Sequence, residues 1–207
     1  MKKLFLSSYF NDVSNLLKTF TNDTIEGKKV IFIPTASILD KTPFYVKADR
    51  KALEKLGLIV EELEITKTFF DDIKSKILNT DYLFVSGGNT FFLLQELKRT
   101  GTDKLIIEHI NKGKVYIGSS AGSAILSKNI EYLKYMDTPK AAPDLINNFT
   151  SLGVVDFYTL PHCKNFPFKR ITKKTLLEYS EKLDLKPISN NQAITVNDNI
   201  ISIVSNN

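Results

Sequence analysis

The chain reads as an α/β protein: a three-layer sandwich with a mostly parallel central sheet covered by helices on both faces. Three observations predict this. Short apolar runs alternate with stretches whose apolar residues recur at helical spacing. The runs are near-continuously apolar, as strands covered on both faces are. Small and polar residues gather just after several of these runs, and open α/β sheets bind ligands at the carboxyl ends of their strands.

The elements follow in order. Leu4–Tyr9 reads as the first strand. Val13–Phe20 reads as a helix, with Val13, Leu16, Leu17 and Phe20 on one face. Lys29–Pro34, rich in β-branched residues, is the second strand. Phe44–Leu56 is a helix, and Gly57 stops it as a C-cap would. Ile59–Ile65 is the third strand and Phe70–Leu78 a short helix. Tyr82–Val85 is the fourth strand and runs into Ser86-Gly87-Gly88-Asn89-Thr90. Helices follow at Phe91–Arg99 and Thr102–Asn111, separated by Gly101. Val115–Ile117 is a fifth strand, running into Gly118-Ser119-Ser120-Ala121-Gly122-Ser123-Ala124 and a short helix. From Asn129 to Leu152 the pattern weakens around Pro139 and Pro143, which reads as a loop excursion. Val154–Leu160 is a strand ending at Pro161-His162-Cys163, and Ile171–Leu183 an amphipathic helix. The tail, Ile188 to Val204, reads as a hairpin around Asn197-Asp198-Asn199.

Composition bounds the function. A chain of 207 residues with 43% hydrophobic and 25% charged residues is ordinary globular material and fits one domain, 1–207. No apolar run approaches the roughly 18 residues of a membrane helix, so no membrane partner is expected. The stretch Leu4 to Phe10, broken by Ser7 and Ser8, is a strand rather than a signal peptide. The single cysteine, Cys163, cannot pair within the chain, which fits a reducing, cytoplasmic setting; beside His162 on a strand it reads as buried and inert. The net charge of +5 is carried by scattered lysines, with arginine only at 50, 99 and 170. Nucleic-acid surfaces usually cluster such charges on one face, so none is expected here.

Three constellations could carry chemistry. The first is Gly118-Ser119-Ser120-Ala121-Gly122. An apolar strand, a small-residue turn and a helix form the outline of a nucleophile elbow. A serine on such a turn projects its hydroxyl, small neighbours admit a substrate carbonyl, and helix-start N–H groups can hold an oxyanion. Each good donor there is worth about 3–4 kcal/mol. Ser120 is the candidate nucleophile and the Ala121 N–H one donor. The alternative is a small-residue turn that only packs a helix close to a strand. The second is Ser86–Thr90, whose glycines permit close backbone approach; the Gly88 N–H could be the second donor. The alternatives are a tight turn with Thr90 as helix cap or a phosphate loop, for which the spacing and the lysine are missing. The third is His162, at the end of a strand on the same sheet edge as Ser120, where it could take the serine proton. His109 reads as a solvated residue of a surface helix. Two histidines and one cysteine make a zinc site improbable, so no metal and no cofactor are expected.

Together these residues resemble the dipeptidase E (α-aspartyl dipeptidase) and cyanophycinase family of serine peptidases. The resemblance rests on Val85–Phe91 (VSGGNTF), Ile117–Ser123 (IGSSAGS), Met136-Asp137 with Pro139, Leu160–Cys163 (LPHC) and Asn191–Ile194 (NQAI). It covers nearly the whole chain. It implies a class I glutamine amidotransferase-like fold, Ser120 as nucleophile, His162 as base, and an oxyanion hole at Gly88 and Ala121. It implies dipeptides with N-terminal aspartate as substrates. Arg170 is the candidate partner of that carboxylate, and Asn89 a further substrate contact. One departure matters. Where the family pattern places an acid before the final strand to orient the histidine, this chain has Ser189-Asn190-Asn191. Either Asn190 orients His162, or Asp137 or Asp156 substitutes, or the pair works alone. The reading is a serine peptidase on small peptides. A non-catalytic binder of small ligands and another amidase on the same fold are the alternatives, and self-association is open.

Overall fold

Seven strands form the central sheet of the computed structural model, which describes residues 2–206. They are β1 (Lys3–Ser7), β2 (Lys29–Ile33), β3 (Ile59–Glu62), β4 (Tyr82–Val85), β5 (Val115–Ser119), β8 (Gln192–Asn197) and β9 (Ile200–Ser205). Their order is β3-β2-β4-β5-β1-β8-β9. The first five run parallel, while β8 and β9 add an antiparallel hairpin beside β1. That hairpin turns at Asp198-Asn199, where the tail was expected to turn, with Asp198 in the left-handed region at φ 55°.

Alternation along the strands sorts the core into two layers. Leu4, Leu6, Ile31, Ile33, Leu83, Val85 and Tyr116 face one side. There they meet α4 (Phe70–Asn79), α5 (Thr90–Arg99) and α6 (Thr102–Asn111) through Ile73, Ile77, Leu93, Leu97, Ile106 and Ile110. Phe5, Val30, Phe32, Phe84 and Ile117 face the other side. They meet α1 (Phe10–Val13), α2 (Leu16–Thr21) and α3 (Phe44–Lys55). Phe32 and Phe84 stack at 4.9 Å between centroids, and Phe10 meets Phe84 edge-on at 5.0 Å. A third cluster, with Phe91, Leu94, Tyr132, Leu133 and Leu160, lies beneath the excursion after the elbow. The excursion itself is a chain of short 3-10 turns.

The structure corrects four expectations. The helix expected over Val13–Phe20 is two short ones, α1 and α2. The Ser14 hydroxyl donates to the Asn11 carbonyl between them, a local bond that competes with continuous helix. The strand expected over Val154–Leu160 is only β6 (Tyr158–Leu160), because the Val154 and Val155 N–H groups both donate to the Leu126 carbonyl. β6 lies outside the central sheet, pairing in parallel with β7 (Leu185–Pro187), a strand the sequence did not announce. His109 is wholly buried rather than solvated. Its ring nitrogens lie 3.2 Å from the Ile77 carbonyl and 3.1 Å from that of Val115. Ile77 is in the last turn of α4, whose carbonyls have no helical partner. Lys114 Nζ completes the cap on Leu78 and Thr80 at 2.7 and 2.9 Å.

One carboxylate is buried between α3 and the start of α1. Asp49 accepts the Asn11 N–H on Oδ1 at 3.1 Å and bonds the Ser119 hydroxyl, while Oδ2 has no partner. Loss of solvent, opposed by those two bonds, pushes its pKa up to about 7.

Two predictions follow from these burials. A neutral imidazole has one N–H to give, so replacing His109 by leucine leaves one of the two buried carbonyls short of a donor and should cost about 1–3 kcal/mol in urea unfolding; a variant as stable as the parent would show that the carbonyl finds another donor. For Asp49 the unfolded carboxyl titrates near 4 and the folded one near 7. Between those values the folded chain holds the extra proton, so this group's contribution to stability falls as pH rises through that window. Urea midpoints of wild type and Asp49→Asn from pH 4 to 8 should therefore converge at one end and separate progressively at the other, with wild type losing ground as pH rises. Parallel curves would place the Asp49 titration elsewhere.

Candidate active site

The turns after β1, β4 and β5 meet because their strands are neighbours. Ser7 pairs with Ser119 and Val85 with Gly118, so Ser8, Ser86–Asn89 and Ser120 emerge side by side at the carboxyl edge. Backbone meets backbone there. A Cβ on Gly122 would lie 2.0 Å from the Val85 carbonyl oxygen, and one on Gly118 would lie 2.6 Å from that of Gly122. One on Gly88, at φ 135°, would lie 2.2 Å from Ala36 in the turn after β2. No side chain fits at these three positions, so glycine is required.

Ser120 sits at φ 50°, ψ −106°, between β5 and α7 (Ala121–Ala124). A non-glycine residue in this region costs roughly 1–3 kcal/mol and persists only where its surroundings over-determine it. Here they do. The Ser120 N–H donates to the Ser7 carbonyl at 3.0 Å, and the Ser123 hydroxyl donates to the same oxygen at 2.7 Å. The Ser7 hydroxyl donates to the Gly118 carbonyl, and the buried Tyr116 hydroxyl to that of Gly122. The bends throw the Ser120 hydroxyl outward, 2.9 Å from His162 Nε2. The Gly88 and Ala121 N–H groups have no acceptor among the described residues, which leaves both available to an oxyanion. The Gly87 turn abuts the elbow: a Cβ there would lie 3.3 Å from that of Ser120.

His162 follows β6, so it reaches Ser120 from the small second sheet and not from the edge of the central one, as the sequence had implied. Its own φ is 59°. Its Nδ1 lies 2.8 Å from Asn190 Oδ1. An amide oxygen only accepts, so Nδ1 carries the proton and Nε2 is left to accept from Ser120. Ser8, which sequence reasoning missed, fixes this arrangement. Its hydroxyl oxygen accepts the His162 backbone N–H at 2.7 Å, and its proton goes to Asn190 Oδ1 at 3.1 Å. Phe168, also missed, stacks on the imidazole at 4.8 Å. Burial pushes the His162 pKa below its ordinary value, and the Asn190 bond partly opposes that. No signal in the sequence marks Ser8, since it reads as an interruption of the first strand. Phe168 reads as one more apolar residue before a helix.

The remaining candidates divide. Asn190 meets His162. Asp137 does not: its Oδ2 accepts the Thr90 N–H at 2.9 Å and the Thr90 hydroxyl at 2.6 Å, at the start of α5. Asp156 is exposed and pairs with Lys128. Asn89, rather than Thr90, caps α5, accepting the Phe92 N–H at 2.9 Å. Its Nδ2 donates to the Thr138 carbonyl, and the residue lines the cavity. Arg170 lies exposed on the first turn of α8 (Lys169–Tyr179), outside the cavity lining. Cys163 is buried.

Ser120 and His162 open onto a cavity of about 720 Å³. It is walled by Tyr9, Phe44, Tyr45, Met136, Phe166 and Phe168, with Asp40 and Asp137 on its polar side. Among the described residues no group of three or more His, Cys, Asp or Glu is placed to hold a metal ion, and no helix is long and apolar enough to cross a membrane.

Comparison with known proteins agrees with this geometry. Residues 4–204 match the model of peptidase family S51. An uncharacterized peptidase of Listeria innocua is 53% identical over 198 residues, covering 96% of this chain and 94% of its own. A peptidase E of Shewanella denitrificans is 30% identical over 184 residues, covering 87% of this chain and 73% of its own. A Listeria monocytogenes protein, solved by crystallography as a candidate peptidase E, superposes with a TM-score of 0.95 at 50% identity over the full length of both chains. The mostly parallel sheet with flanking helices is the class I glutamine amidotransferase-like fold. The chain therefore belongs to peptidase family S51, a family of serine peptidases.

Proposed function

We propose that the chain hydrolyses small peptides through an acyl-enzyme on Ser120. The observation that carries this is the 2.9 Å contact between Ser120 Oγ and His162 Nε2 at the mouth of the cavity. Nε2 takes the hydroxyl proton as Oγ attacks the scissile carbonyl. The oxyanion that forms is held by the Gly88 and Ala121 N–H groups. His162 then gives its proton to the leaving amine. A water, deprotonated by the same nitrogen, releases the acyl group and restores Ser120.

Asn190 holds the tautomer but brings no charge to meet the imidazolium that forms. An aspartate in that role accounts for a factor of about 10⁴ in serine proteases, so a modest turnover is expected here. Arg170, the cation that an N-terminal aspartate calls for, does not line the cavity. The proposal therefore stops at small peptides.

Ser120→Ala should abolish hydrolysis while far-UV circular dichroism stays unchanged; an undiminished rate would sink the assignment. The imidazole must be neutral to act as base, and burial lowers its pKa from 6.5. The acid limb of kcat/KM, which reports the free enzyme, should therefore lie below pH 6.5. Asn190→Asp should move that limb upward, because a carboxylate favours the imidazolium. The same variant should raise kcat at pH 8 by about tenfold or more, part of what the carboxylate gives in serine proteases. A limb that stays in place would mean that Asn190 does not contact the titrating imidazole.

A further inference from the structure

The cavity's charge has a sign. No lysine or arginine lines it among the described residues. Its carboxylates are Asp40, which accepts from the Tyr45 hydroxyl through Oδ2, and Asp137, held by Thr90 through Oδ2. Asp137 Oδ1 has no hydrogen-bond partner among the described residues, although the side chain is mostly buried. Desolvation pushes the Asp137 pKa up to about 6 against the pull of the two Thr90 bonds, and Asp40 adds to the rise. A mostly buried carboxylate with a spare oxygen, beside a second carboxylate, is a place for a cation.

Its position says which cation. Asp137 accepts the Thr90 N–H, two residues beyond Gly88, the proposed oxyanion donor, and it lines the same cavity as Gly88 and Ser120. In a dipeptide the α-nitrogen is two bonds from that carbonyl carbon. The remaining wall is apolar and ready-made. Phe44 and Phe166 are 74% and 95% exposed, and Met136, Tyr45 and Phe168 share the lining. An aspartate side chain would bring a third carboxylate into this space without a counter-charge, which costs binding.

Resting on Ser120 as nucleophile, we propose that Asp137 receives the substrate's α-ammonium and that the aromatic wall receives an apolar first side chain. The chain would then be a dipeptidase for free peptides such as Phe-Leu that discriminates against N-terminal aspartate. Asp137 would be a specificity-determining residue as well as the partner of Thr90.

The test uses purified protein with Phe-Leu, Asp-Leu and N-acetyl-Phe-Leu, alongside labelling by an uncharged fluorophosphonate. Phe-Leu should exceed Asp-Leu in kcat/KM by at least about tenfold. Acetylation should reduce cleavage by about ten- to hundredfold, the value of a hydrogen bond to a charged group. Asp137→Asn keeps an oxygen for Thr90 and should raise KM for Phe-Leu by a similar factor while changing kcat little. Preference for Asp-Leu, indifference to acetylation, or a loss confined to kcat in Asp137→Asn would each overturn the proposal. If the fluorophosphonate labels Ser120 but none of the peptides is cut, the substrate class is wrong and the nucleophile stands. If neither labelling nor cleavage occurs in folded protein, both fall.

Discussion

The site depends on one constraint: backbone must approach backbone where three strands end. Gly122 lies against the Val85 carbonyl, Gly118 against Gly122, and Gly88 against Ala36, each too close for a Cβ. Ser120 can hold its left-handed backbone only because those contacts leave the turn no other path. The fixed turn in turn sets the direction of the hydroxyl and leaves the Gly88 and Ala121 N–H groups without acceptors. A single methyl group at Gly122 would therefore displace the Ser120 hydroxyl and the Ala121 N–H together, through its clash with the Val85 carbonyl.

The histidine is controlled by neutral groups. In a triad with an acid, charge alone selects the right tautomer. An amide has an accepting end and a donating end, and the wrong end toward Nδ1 would put the imidazole proton on the nitrogen that must accept from serine. Ser8, whose Oγ lies 3.1 Å from Asn190 Oδ1 and 3.3 Å from His162 Nδ1, adds a second donor beside the amide oxygen. Its oxygen is committed to the His162 N–H, so its proton needs an acceptor, and Asn190 Oδ1 supplies one. The amide oxygen thus faces both Ser8 and Nδ1. With no carboxylate and a desolvated ring, the base stays neutral at lower pH but forms a less stable imidazolium. Readiness and strength as a base are exchanged for each other.

Much of this was legible in the sequence. The two strand-to-turn segments, Val85–Phe91 and Ile117–Ser123, announced their backbone geometry because glycine and small residues report directly on close approach. His162 was found through its place after an apolar run, although that run belongs to a separate small sheet. What stayed hidden depends on contacts across the fold. Ser8 acts through Asn190, 182 positions away in the chain. His109 looked solvated because its helix is amphipathic, and only the neighbouring end of α4 shows why a polar ring is buried there. Val154 and Val155 have the composition of a strand but give their N–H groups to one carbonyl, a pairing that no local pattern encodes.

Family membership and specificity are separable for a physical reason. The elbow and the oxyanion donors are backbone features, secured by glycines that cannot change without destroying the turn. The cavity wall is made of side chains from the turn after β1, the first turn of α3, the excursion and the segment before α8, largely outside the sheet and its core. Phe44 packs edge-on with Tyr45 and Phe166 is almost fully exposed, so core packing does not demand phenylalanine at either position. Asp137 spans both kinds of residue. One oxygen serves the start of α5 beside the Gly88 turn, and the residue also lines the cavity. With Ser120 as the proposed nucleophile, a charge at Asp137 would act on whatever group flanks the carbonyl under attack. The sign of that charge would then select among the substrates open to the shared chemistry.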